Sequence, residues 1–232
     1  MACLKKALLV FLALCLAVPV SLLAENNYAI DTPTTDILDY GMYNLNFRLF
    51  SNGGILTRLD FGVFKIVNLG FGWETSDVIG TQDVSVAPPA LSIKIKPYDG
   101  GIVLPALVLG YDGQGNFYNK STNEYTEREK GIYVALGRET VIPGLKLTAG
   151  ANMWDFQTNT VYGFVNATMN LEDKFMIIGE CDNIHSGNDD RINAGFRIPI
   201  TEALSIDLAG RDIGAPGRTA ERIIRLNYIG KF

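Results

Sequence analysis

Histidine and cysteine are nearly missing from this chain. His185 is the only histidine, and the cysteines are Cys3, Cys15 and Cys181. Zinc sites draw on several such ligands held close together, so no metal and no cofactor is expected. His185 stands beside Ser186-Gly187-Asn188-Asp189, a composition that reads as a solvated loop. A surface hydrolase would need His185 to converge with Ser186, Asp182, Asp189 or Asp190, and no catalytic residue is assigned on that basis. Charge is sparse as well: 19% of residues are Asp, Glu, Lys or Arg, with acids outnumbering bases. That balance removes the electrostatic case for binding nucleic acid.

Beyond residue 24, no apolar stretch reaches the length of a membrane helix. Residues 1–24 read as a secretory signal peptide, with Lys5 and Lys6 ahead of the uncharged run Ala7–Val18, a break at Pro19, and Ala24 before the cleavage point. A retained membrane helix is the competing reading, opposed by Pro19 and by the lack of a basic flank after Ala24. Cleavage removes Cys3 and Cys15, so Cys181 is left as a small apolar packer without a disulfide partner. It also lowers the basic count from 20 to 18 against 25 acids, a formal charge of −7.

The chain is nevertheless 47% hydrophobic. Apolar residues without long runs can occupy every second position, as in strands whose two faces meet different surroundings. The chain divides into about twelve such segments, with ten as the alternative count. They are Gly41–Phe50, Ile55–Phe64, a stretch centred on Leu69, Phe71 and Trp73, Ala90–Lys96, Ile102–Tyr111, Gly131–Arg138, Leu145–Met153, Val161–Met169, Lys174–Asp182, Ile192–Ile198, Leu204–Arg211 and the closing strand to Phe232. The fifth is apolar on both faces and carries Pro105, which a central strand does not favour.

Connections alternate in length. Lys65–Asn68, Pro97–Gly101, Thr140–Gly144, Asn170–Asp173 and Pro199–Ala203 are short, whereas Thr75–Pro89, Asp112–Lys130, Trp154–Thr160, Asn183–Arg191 and Asp212–Glu221 are long. Only the tight turn Ser51-Asn52-Gly53-Gly54 breaks the rule. This asymmetry favours a membrane barrel over a soluble sandwich. An unpaired strand edge in hydrocarbon costs several kcal/mol per backbone group, so the sheet must close. The expected fold is therefore all-β: a closed antiparallel transmembrane up-and-down β-barrel spanning 40–232. Residues 25–39 form a periplasmic N-terminal lead-in or a partial plug.

Closure assigns the faces. The expected lumen lining is Arg48, Arg58, Asp60, Glu74, Lys94, Lys96, Glu180, Asp182, Arg197, Asp207, Arg211 and Arg225. Inward charges must be paired or hydrated. They make either a salt-bridged filling or a narrow pore with a mildly cationic wall, and twelve strands lie between the filled and the open sizes. Arg138 and Arg222 fall on the lipid-facing parity at strand ends, and Tyr43, Trp73, Phe175 and Phe232 supply interfacial aromatics. Asp112-Gly113-Gln114-Gly115-Asn116 only partly matches a calcium loop, since Phe117 and Asn123 replace its sixth-position glycine and terminal acid. A turn is expected there. Asn119-Lys120-Ser121 matches a glycosylation acceptor but carries no reading.

The chain closes with Ile224, Leu226, Tyr228, Gly230 and Phe232 on one face of an alternating strand. This resembles the terminal strand of bacterial outer-membrane β-barrels. The resemblance implies an outer-membrane location, Tyr228 and Phe232 as the signal read by the barrel assembly machinery, and contact with outer-membrane lipid and lipopolysaccharide. The strings Ile30-Asp31-Thr32-Pro33-Thr34, Phe61-Gly62-Val63-Phe64 and Asn68-Leu69-Gly70, with Pro105–Leu107 and Gly110–Asp112, resemble YjbH-like barrels. That family is associated with exopolysaccharide production. The expected function is a non-enzymatic porin-like channel for small solutes or a structural membrane component. The alternatives are an exopolysaccharide-export accessory and a surface hydrolase.

Overall fold

The computed structural model describes residues 27–232 except 51–52, 80, 82, 102–103, 114–117, 120–123, 126–129, 155, 173, 186–189 and 214–219. The signal-peptide segment, Ser51-Asn52, most of the calcium-like and glycosylation strings, and Ser186–Asp189 therefore lie outside the described residues. Twelve long strands follow one another. They are β1 (Met42–Phe50), β2 (Gly54–Phe64), β3 (Val67–Ser76), β4 (Ala90–Tyr98), β5 (Ala106–Asp112), β6 (Gly131–Glu139), β7 (Leu145–Met153), β8 (Tyr162–Leu171), β9 (Phe175–Ile184), β10 (Arg191–Pro199), β11 (Leu204–Arg211) and β12 (Glu221–Lys231). Each pairs antiparallel with the next, and β12 returns to β1 from Met42↔Lys231 to Leu49↔Ile224. The sheet is thus a closed up-and-down barrel without a free edge among these strands.

The two ends differ. One carries the short turns 65–66, 140–144, 172–174 and 200–203 and the longer 99–105, where Pro97–Gly101 was expected, together with the start of β1 and the end of β12. The other carries the long connections 77–89, 113–130, 154–161 and 212–220 and the shorter 51–53 and 185–190. At this loop end, Ser85–Val86 extends the pairing of β3, and Tyr118–Asn119 pairs with Glu124–Tyr125.

Alternation sets the faces as the sequence reading requires. Outside stand Phe47, Leu69, Leu91, Leu109, Ile132, Leu136, Ile177, Phe196, Leu208, Ile224, Leu226 and Tyr228, all exposed. Inside stand buried Asn44, Asn46, Arg48, Arg58, Asp60, Glu180, Arg197, Asp207, Arg225 and Asn227. A water-soluble barrel would reverse this, because burying charge while exposing Leu and Ile to water is unfavourable on both counts. Aromatic rings group near the strand ends. Tyr43 meets Tyr228 at 6.1 Å, Phe61 meets Phe232 at 6.0 Å and Trp154 meets Tyr162 at 6.1 Å between ring centroids.

Two expectations change. The fifth strand begins at Ala106 rather than Ile102, because proline has no N–H to give the ladder and Pro105 marks where pairing starts. The interior is also not uniformly polar. Val108, Tyr133, Ala135 and Phe164 form a buried apolar cluster inside the wall, which explains why the fifth segment looked apolar on both faces. Cys181 is buried.

Candidate functional site

The lumen is occupied by the chain's own N-terminal segment. Residues 27–38, for which the sequence left a periplasmic lead-in or a partial plug open, lie inside the barrel, with Ala29, Thr32 and Thr35 completely buried. The segment doubles back on itself. Tyr28 bridges Pro33, the Ala29 N–H donates to the Thr32 carbonyl at 2.9 Å, and the Thr34 N–H donates to the Asn27 carbonyl at 3.0 Å. The result is a hairpin with its tip at Ile30-Asp31. It enters from the turn end, where the chain passes Gly62 on its way to β1.

Extended backbone inside a barrel must find partners for its own polar groups, and the wall provides them by charge. The Glu180 carboxylate accepts from three successive backbone N–H groups: Ile30 at 3.1 Å, Asp31 at 2.9 Å and Thr32 at 3.1 Å. It also accepts from the Thr32 hydroxyl at 2.7 Å and from Asn193 Nδ2 at 2.6 Å. Successive N–H groups turned toward one anion make a nest, the same device that holds phosphates in other proteins. The carbonyls are met by cations. Arg225 donates to Ala29 O at 2.8 Å and also to Ile30 O, and Lys94 Nζ donates to Asn27 O at 2.8 Å. Asn166 Nδ2 reaches Thr32 Oγ1 at 2.9 Å and Pro33 O at 3.2 Å.

Side chains of the hairpin complete the fit. Asp31 pairs with Arg48 at 2.6 Å and Arg211 at 3.2 Å. Burial alone would raise its carboxyl, but Arg211 and Arg48 outweigh this and hold it far below the ordinary range. Asp36 pairs with Lys146, which overcomes burial in the same way. Tyr28 lies under the Arg58 guanidinium, 4.1 Å from ring centroid to Cζ. Ile30 and Ala29 pack on Ile178 and Ile223. Two wall glycines leave the hairpin its space: a Cβ at Gly62 would come within 1.9 Å of the Asp39 carbonyl, and one at Gly137 within 2.4 Å of Thr35 Oγ1.

The remaining wall charges neutralise one another. Arg197 holds Asp207 with two bonds of 2.7 and 2.9 Å, Arg225 joins them at 3.3 Å, and Arg58 holds both oxygens of Asp112 at 2.9 and 3.0 Å. Of the sequence-derived lining residues, Arg48, Arg58, Asp60, Glu74, Lys94, Glu180, Asp182, Arg197, Asp207, Arg211 and Arg225 are buried inside. Lys96 stands at the turn-end mouth, paired with exposed Asp99 at 2.9 Å. Tyr228 and Phe232 face outward. The sequence reading passed over Lys130, paired with Asp182 in the lumen, and Asp112, assigned to a turn. His185 is exposed, its Nδ1 3.1 Å from the Val161 carbonyl, while Asp182 is engaged with Lys130.

No family model matches the chain, and no curated protein matches it either. Among solved structures, a KdgM porin superposes with a TM-score of 0.57 at 8% identity, over 81% of this chain and 98% of that one. The chain shares the porin's barrel fold. An outer membrane channel from Pseudomonas putida F1 has a TM-score of 0.47 at 10% identity, over 87% and 100% of the two chains. A Rhodopseudomonas blastica porin variant has 0.38 at 9% identity, over 83% and 98%.

Proposed function

We propose that this protein is a non-enzymatic, porin-like channel of a bacterial outer membrane whose lumen is closed at rest by its own N-terminal hairpin. One observation carries the reading: residues 27–38 fill the barrel mainly through polar contacts to the wall, with only a small apolar cluster of Ala29 and Ile30 against Ile178 and Ile223. Such contacts can be exchanged for water when the hairpin withdraws, whereas an apolar filling could not be hydrated at comparable cost. The exposed apolar belt and the edgeless sheet support membrane insertion, and the signal-like start and aromatic closing strand support export and assembly at the outer membrane. Lipid, lipopolysaccharide and the assembly machinery are the partners this reading implies, with small solutes as cargo.

The test is conductance in planar bilayers. Full-length barrel should be mostly silent, and a variant lacking residues 27–38 should conduct in steps. Silence of both forms, with the variant folded by its heat-modifiable mobility, sinks the channel reading in favour of a structural barrel. The string Ile30–Thr34, which carries much of the YjbH-like resemblance, is the hairpin tip itself. An accessory role in exopolysaccharide export would therefore act by releasing this hairpin to a partner, and it predicts that export components co-purify with the barrel.

A further inference from the structure

A small cavity lies between the hairpin tip and the wall formed by β1, β2 and β12, lined among others by Tyr28, Ile30, Asn46, Arg48, Arg58 and Arg225. It has room for about one water-sized particle. Three guanidinium groups border it, and no acidic side chain among the described residues does.

Two of those guanidiniums are already engaged. Arg58 holds Asp112, and Arg225 holds the carbonyls of Ala29 and Ile30 together with Asp207. Arg48 is different. Its Nη1 holds Asp31 at 2.6 Å, but its Nε and Nη2 have no hydrogen-bond partner among the described residues, although the residue is only 2% exposed. Unpaired buried donors on a charged group cost several kcal/mol, so such groups nearly always hold something. A single water could accept from both donors, but the three ion pairs turn their positive ends, and no carboxylate, toward this space, which favours an anion over a neutral molecule. A carboxylate or phosphate is too large for the space.

We infer that the cavity is a binding site for a monatomic anion, chloride in ordinary media, held by Arg48 Nε and Nη2 with Arg58 and Arg225 as flanking charges. Tyr28 and Ile30 belong to the hairpin, so the site is complete only when the hairpin is seated. Linkage then requires chloride to favour the seated form. The inference needs no channel activity and stands or falls apart from it.

Bromide, which scatters anomalously, is the direct probe. A bromide-soaked crystal of the full chain should show an anomalous peak in the cavity within hydrogen-bonding distance of Arg48. In detergent, sodium chloride should raise the thermal midpoint saturably, and sodium gluconate at equal ionic strength should not. Arg48→Lys retains a cation for Asp31 but removes the two free guanidinium donors. It should raise the half-saturating chloride concentration about tenfold, since a hydrogen bond to a charged partner is worth at least that factor. A cavity holding only water in the bromide-soaked crystal overturns the inference, as do equal midpoints in chloride and gluconate.

Discussion

Replacing Glu180 with glutamine tests the hairpin's anchorage without changing the shape of the side chain. Oε1 of Glu180 accepts from Asp31 N–H and Asn193, while Oε2 accepts from Ile30 N–H, Thr32 N–H and the Thr32 hydroxyl. Glutamine has only one carbonyl oxygen to offer. If it faces Asp31 and Asn193, its NH2 group confronts the two remaining N–H donors; if it turns round, it confronts the other pair. Bonds to a charged acceptor are worth roughly 1.5–3 kcal/mol each. Losing two of them, with partial relaxation, costs about 3 kcal/mol, or roughly a hundredfold in the ratio of seated to withdrawn hairpin. Hydrogen exchange in detergent, followed by mass spectrometry, reads this directly. Peptides covering 27–36 should lose about a hundredfold in protection, while peptides from β3, six strands away round the wall, stay unchanged. Unchanged protection at Ile30–Thr32 would refute the anchoring role. A uniform loss over the whole barrel would show instead that Glu180 supports the wall and not the hairpin.

Withdrawal of the hairpin would take Asp31 and Asp36 out of the lumen and remove the carboxylates that face Arg48 and Lys146, while Arg211 keeps Glu221. The conducting variant lacking residues 27–38 should therefore prefer anions in reversal-potential measurements, and Arg48→Glu in that background should shift the preference toward cations. Gly137→Leu places a Cβ against Thr35 Oγ1, where 2.4 Å is available. It should raise the opening probability of the full-length barrel by the effect of roughly 1–3 kcal/mol of overpacking, while the deletion variant, which keeps only the 2.9 Å approach to Thr148 Oγ1, should be perturbed less. The carboxyls of Asp31 and Asp36 lie below the ordinary range, so their contribution to seating is present above about pH 4, the unfolded value, and is lost as pH falls through the folded one. The share of the hairpin's hold that Asp31 and Asp36 supply should thus be constant from about pH 8 to 5 and weaken only in stronger acid. Release between pH 7 and 5.5 would place the control on other groups.

The barrel was legible because a lipid-facing sheet obeys a rule of period two. Arg48, Arg58, Asp207 and Arg225 alternate with Leu49, Leu59, Leu208 and Leu226, so the charged face and the greasy face separate on inspection. The rule weakened where both faces carry apolar residues. Val108 and Phe164 point inward to Tyr133 and Ala135, and nothing in Ala106–Tyr111 distinguishes that cluster from a lipid-facing one. The hairpin was less legible still. Its sequence contains no periodicity, and its fit depends on groups brought together by closure: Glu180 on β9, Arg225 on β12, Lys94 on β4 and Asn166 on β8. The signals that existed were indirect. Asp31 and Asp36 precede a barrel with a cation-rich expected lining, and Gly62 and Gly137 are inward glycines with no turn to explain them.

The same facts explain why the hairpin is held more by charge than by its small apolar cluster. A lumen wide enough for a doubled backbone must satisfy the N–H and C=O groups of that backbone, and a ring of aliphatic side chains could not. Once the wall carries the complementary charges, those charges need the hairpin in return. Arg48 and Arg211 share Asp31, and Arg211 also holds Glu221, so removing Asp31 without water entering would leave the buried Arg48 without its carboxylate, at a cost far above that of a surface pair. Withdrawal and hydration of the lumen must therefore occur together. A polar plug in a polar barrel thus has two acceptable states, dry and seated or wet and open, and the half-withdrawn state between them is unfavourable. On the channel reading proposed above, that separation is the physical requirement for a gate, and it would rest on the wall groups that meet the hairpin, Glu180, Arg225 and Arg48 among them.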